Sequence, residues 1–90
     1  MRLDVFLKIS RLMARRSLAQ EFCDAGLIAV NGQTAKSSKD LHPGDEIEVR
    51  RRDRITRLKI LIVPDKKQIA KSDASGLYEI LSETAVDPGL

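Results

Sequence analysis

Gly26-Leu27-Ile28-Ala29-Val30-Asn31-Gly32-Gln33-Thr34-Ala35-Lys36 contains two short β-prone runs on either side of Asn31-Gly32. Asn-Gly is the dipeptide best suited to the positive φ angles of a type I′ turn, so this segment predicts a tight β-hairpin. Its first residue also closes what precedes it, because a glycine can take the left-handed conformation that ends a helix without a Cβ clash. Upstream of Gly26, Leu18, Phe22 and Ala25 share one face of a helix that starts at Ser17. The Ser17 hydroxyl is placed to cap the free backbone N–H groups, and Gln20 three residues on completes a capping-box pattern. Further upstream, Leu3, Phe6 and Leu7 recur at i, i+3 and i+4, which predicts a short amphipathic helix from Leu3 to about Ser10 with Arg2 at its entrance.

Downstream of the hairpin, a polar stretch from Ser37 to Asp40 leads to His42-Pro43-Gly44-Asp45, a second turn signal. Ile47 and Val49 then alternate as in a half-buried strand. Residues 55–63, rich in Ile, Leu and Val, predict a longer strand that returns antiparallel across the arginine-rich connection Arg50 to Arg54 and ends before Pro64. From Asp65 to Ser75 no apolar period remains, as expected of a flexible linker. Leu77, Tyr78, Ile80 and Leu81 group at helical spacing and predict a short terminal helix, too short to persist alone in water. The expected architecture is therefore α+β: two short helices packed on a small, mainly antiparallel sheet over residues 1–63, then a flexible tail, partly helical, over residues 64–90.

The 90-residue chain has room for one domain, with 42% hydrophobic and 32% charged residues, the balance of a soluble globular protein. No run approaches the roughly 18 to 20 apolar residues of a membrane span, and the N-terminus lacks the apolar region of a signal peptide, so a cytoplasmic, membrane-free setting is expected. Residues 1–63 hold 13 basic and 8 acidic side chains, and residues 64–90 hold 3 and 5, a polarity of +5 against −2. A basic domain followed by an acidic tail suits contact with a polyanion through the first part only.

Catalysis finds little to work with. His42 sits beside a Pro-Gly turn and Cys23 lies inside a helix, with no spacing that pairs a nucleophile with a base or assembles metal ligands. Gly26, Gly32 and Gly44 are too dispersed to cradle a nucleotide phosphate. The expectation is a non-enzyme without metal or cofactor. The basic residues are more informative: Lys8, Arg11 and Arg15 step at helical spacing, and Arg16 precedes the start of the second helix, where dipole and exposed N–H groups favour an anion. Lys36 follows the hairpin. Arg50 and Arg51, in the densest basic run, stay open between a second contact and protection of strand edges. The aromatics Phe6, Phe22 and Tyr78 offer no stacking platform, so structured RNA held by its backbone fits better than single strands.

Four motifs in order, Arg2-Leu3-Asp4 with Phe6-Leu7, Arg16-Ser17-Leu18-Ala19, Gly26 to Gly32, and Pro43-Gly44-Asp45-Glu46-Ile47-Glu48-Val49, resemble the S-four-type, or alpha-L, RNA-binding domain over residues 2 to about 50. Within that family the chain is similar to short, free-standing members that serve ribosome-associated quality control, and to the longer heat-shock members. The resemblance implies binding to a dissociated large ribosomal subunit through its rRNA and the P-site peptidyl-tRNA, support of C-terminal alanine tailing by an RqcH-type protein, and RNA contacts at Arg2 and Arg16. A monomer is expected. Many members carry a basic residue where this chain has Val5 and another where it has Leu27; Arg15 or Arg50 to Arg54 are the groups placed to compensate.

Overall fold

A computed structural model describes residues 1–66 and 68–86. Helix α1 spans Leu3–Ile9, and all of its residues except Lys8 are buried. Such a helix is more central than a surface amphipathic one. It lies under the sheet on one side and against the segment before the Pro43 turn on the other, where the Leu3 and Asp4 N–H groups donate to the Lys39 and Ser37 carbonyls at 2.8 and 3.1 Å. The chain leaves it through Arg11, a left-handed residue that is not glycine (φ 65°), a conformation retained where surrounding structure enforces it.

Helix α2 spans Arg16–Asp24 and differs from expectation at its start. Arg15, in extended conformation, is the N-cap, and the first turn closes from the Ala19 N–H to the Arg15 carbonyl. Ser17 therefore lies inside the helix rather than capping it, and the Gln20 side chain turns to Asp4. The inward face is Ala19 and Cys23; Phe22 is half-buried, while Leu18 and Ala25 are exposed. Gly26 ends the helix at φ 75°, as its sequence position requires.

Strands β1 (Ile28–Val30) and β2 (Gln33–Thr34) form the hairpin, with Asn31 and Gly32 both at positive φ. Asn31 also reaches across the turn: its amide donates to Asp45 at 3.1 Å and its Oδ1 accepts the Glu46 N–H at 3.0 Å. Strand β3 (Glu46–Arg50) follows the Pro43-Gly44 turn, and β4 (Arg54–Ile60) returns beside it. Leu61 to Val63, expected to extend β4, lie beyond its end.

The larger correction concerns the tail. A short helix α3 (Lys71–Ala74) and one turn of 3-10 helix (Ser75–Leu77) occupy part of the expected linker. The expected terminal helix is instead strand β5, Tyr78–Ala85, antiparallel to β4. The sheet order is β2-β1-β3-β4-β5, antiparallel throughout. The cause is a β-bulge: Leu58 pairs with Ile80 and Arg57 with Ser82, which leaves Leu81 as the extra residue. Two adjacent apolar residues then imitate helical spacing inside a strand. Ile28, Val30, Ile47, Val49, Leu58 and Ile60 face α1 and, with Leu3, Phe6, Leu7, Leu41 and Leu77, form the core.

Candidate nucleic-acid interface

The sheet presents its second face to solvent, and that face is electrically balanced. Glu46, Glu48 and Arg50 of β3 alternate with the buried Ile47 and Val49, and register places Arg57 and Lys59 of β4 and Glu79 of β5 beside them. Arg57 pairs with Glu46 at 3.1 Å and Arg50 with Glu48 at 2.9 Å. A polyanion finds no excess charge there, and Arg50 is separated from the other candidates.

The helical side is different. Asp4, fully buried in the first turn of α1, accepts hydrogen bonds on both oxygens: from the Val5 N–H (2.9 Å) and Arg2 Nε (3.2 Å) on Oδ1, and from Arg16 Nε and Gln20 Nε2 (each 2.9 Å) on Oδ2. Burial alone would push this carboxyl up; the bonds from Gln20, Arg16 and Arg2, with the charge of Arg16, outweigh it and hold the group below the ordinary carboxylate value. Both arginine side chains remain about half exposed, at 48% and 47%. They flank a groove of about 440 Å³ that Val5, Val63 and Pro64 also line.

Around this pair the other cations are less engaged. Lys8 is the exposed residue of α1 and shares a second groove of about 660 Å³ with Arg11, Met13 and Ile69. Arg11 donates a long bond, 3.4 Å, to the Ile69 carbonyl. Lys8, Arg11, Arg15 and Lys36 form no ion pair among the described residues. Lys36 adjoins Ser37, whose carbonyl receives the Asp4 N–H, so the segment after the hairpin brings positive charge up to the entrance of α1. Arg51 is half-buried and bonded inward, to the Leu12 carbonyl at 3.0 Å and Thr56 at 3.4 Å, tying the β3–β4 connection to the loop between the helices. Its guanidinium is committed to the fold.

Val5 is buried, and it lines the groove that Arg2 and Arg16 flank. Two members of this cluster were not singled out in the sequence. Asp4 stood in the sequence only as the last residue of the Arg2-Leu3-Asp4 motif, with no role of its own, and Gln20 as half of a capping box. The signal was the spacing of Arg16 and Gln20, four apart and therefore on one helical face.

The S4 domain family model matches residues 1–47, the segment that builds both helices, the hairpin and the arginine pair. The chain belongs to the S4 domain family. Among curated S4 domain relatives it is 47% identical over 87 residues to an RQC P-site tRNA stabilizing factor of Streptococcus pneumoniae, covering 97% of each chain. It is 45% identical over 83 residues to the RQC P-site tRNA stabilizing factor of Bacillus subtilis, covering 92% of this chain and 94% of that one. Among solved structures it is similar to the trimeric Vibrio cholerae Heat Shock Protein 15, with a TM-score of 0.80 and 31% identity over 91% of this chain and 82% of that one. The likeness covers more of the chain than the residues the family model matches.

Proposed function

We propose that this protein is a non-catalytic RNA-binding factor of ribosome-associated quality control, holding large-subunit rRNA and the P-site peptidyl-tRNA on stalled, dissociated large subunits. In that setting it supports alanine tailing by an RqcH-type protein, in the cytoplasm and as a monomer. The observation that carries the reading is the pair of half-exposed guanidiniums, Arg2 and Arg16, gathered from two helices onto one buried carboxylate. Planar guanidinium forks grip phosphate oxygens bidentately, and Lys8, Arg11, Arg15 and Lys36, which form no ion pair among the described residues, add positive charge on the helical side. Relatives named RQC P-site tRNA stabilizing factor support the ribosomal setting. Among the described residues no group of three or more His, Cys, Asp or Glu side chains is placed to hold a metal, and Cys23 and His42 lie apart in α2 and the Pro43 turn.

Fluorescence anisotropy with labelled tRNA across a salt series tests this. Replacing Arg16 by Ala lowers affinity and reduces the log–log salt slope by about 0.7 to 0.9, the release of one phosphate contact. Unchanged affinity and slope would remove Arg16 from the interface. Sedimentation through a sucrose gradient tests the setting: the protein travels with large subunits carrying peptidyl-tRNA, and recovery only at the top of the gradient refutes the quality-control role.

One observation favours a second reading, a protein-interaction adaptor. Leu61 and Ile62, just past the end of β4, and Ile80 and Leu81, in β5, are each 44–54% exposed. Binding to such a surface would be insensitive to salt, and so the same series separates the two.

A further inference from the structure

We propose that Asp4, which no ligand can touch, is the positioning residue of the interface: it converts two flexible arginines into a fixed phosphate receptor. The proposal rests on the RNA-binding reading above. Its starting point is an oddity of charge. A surface that attracts phosphate gains nothing from a carboxylate beneath it, since Asp4 offsets part of the attraction of the very arginines it binds. Its full burial and its complete set of donors show that the carboxylate is not there to meet solvent or RNA.

The geometry of the donors supplies the reason. Arg16 gives Asp4 its Nε–H at 2.9 Å and bonds it through neither terminal nitrogen, which leaves that pair to grip a phosphate end-on. Arg2 gives its Nε–H at 3.2 Å and one terminal N–H at 3.4 Å, and keeps the other terminal nitrogen free. The Asp4 carboxylate is itself fixed at both ends, by the Val5 backbone N–H and by Gln20 from α2. Arg16 is therefore held through Nε and Arg2 through Nε and one terminal nitrogen, and each keeps terminal N–H groups for a phosphate. An arginine that enters a complex already ordered does not lose rotamer freedom on binding, and that loss is otherwise paid for each long side chain immobilised.

Asp4→Asn tests the proposal because the two effects have opposite signs. The substitution raises the formal net charge from +3 to +4, and simple electrostatics then predicts tighter binding to RNA. Loss of positioning predicts weaker binding, by about tenfold for two freed arginines. The full-length protein and its variants are titrated against fluorescein-labelled tRNA, below the melting temperature of each variant. Support requires three results: weaker binding by Asp4→Asn, no further loss when it is added to Arg2→Ala/Arg16→Ala, and collapse of the separate Nε–H resonances of Arg2 and Arg16 in nitrogen-15 spectra. A merely structural role would weaken binding equally in the double-arginine background and would overturn the proposal. So would equal or tighter binding by Asp4→Asn alongside a loss in Arg16→Ala, which leaves the interface standing. No effect of Arg16→Ala refutes the interface itself. If Asp4→Asn does not fold, Arg16→Lys keeps the charge on a half-exposed residue but has no fork to present while paired with Asp4. It then binds nearly as weakly as Arg16→Ala, and wild-type affinity overturns the proposal.

Discussion

Replacing Leu77 by Ala removes a side chain that is 5% exposed and packs into the core from the segment just before β5. Its backbone is left in place: the Leu77 carbonyl accepts the Leu61 and Ile62 N–H groups at 2.8 and 3.2 Å, and alanine accepts them equally. The substitution thus isolates packing. A buried Leu→Ala change costs about 2–5 kcal/mol, more where the cavity cannot collapse. Leu77 is bonded through its carbonyl to Leu61 and Ile62, whose side chains are about half exposed and leave the site close to solvent, so a cost of about 2–3 kcal/mol is expected. For a domain of this size each kcal/mol moves the melting temperature by roughly 4–8 °C, giving a fall of about 10–20 °C. Urea and thermal denaturation followed by far-ultraviolet circular dichroism measure it, with an unchanged m-value because nearly the same surface is exposed on unfolding. Leu81→Ala is the internal control: it removes the same atoms from a bulged, 44% exposed position in the adjoining strand and shifts stability by no more than about 0.5 kcal/mol. A Leu77→Ala protein as stable as wild type, or one no worse than Leu81→Ala, would refute the assignment of this segment to the core.

Two further outcomes follow from the same geometry. Arg51→Ala strips the Leu12 carbonyl of its 3.0 Å bond and lowers stability by about 1–3 kcal/mol, while the salt slope for tRNA stays at the wild-type value; a reduced slope would place Arg51 on RNA. Burial, and then the charges of Asp4 and Asp24, push the Cys23 thiol up to about 11, so iodoacetamide at pH 8 labels it only as fast as the protein opens. Rapid labelling of the native protein, indifferent to stabilising or destabilising substitutions, would contradict that burial.

What the sequence determined by itself is local and short in range. Asn31-Gly32 dictated a hairpin because few other dipeptides adopt two successive positive φ angles, and both residues adopt them. Gly26 and Pro43-Gly44 placed a helix end and a turn for the same kind of reason, and the alternation of Ile47 and Val49 assigned their faces on β3. Arg2 and Arg16 were singled out from motif and position, and the structure brings both guanidiniums onto Asp4. Tertiary structure decided the rest, wherever a distant partner outweighs the local pattern. Ser17 is an effective cap in isolation, but Gln20 is drawn to a carboxylate sixteen positions away, and α2 begins at Arg16. Leu77 to Leu81 are spaced as in a helix, yet β4 would otherwise present an unpaired edge. Satisfying its backbone N–H and C=O groups along seven register pairs outweighs a short helix with little stability of its own. Arg51 looked identical to its neighbours until Leu12 supplied a carbonyl for it. Asp4, one acidic residue among thirteen in the sequence, has Arg2, Arg16 and Gln20 around it only because two helices pack.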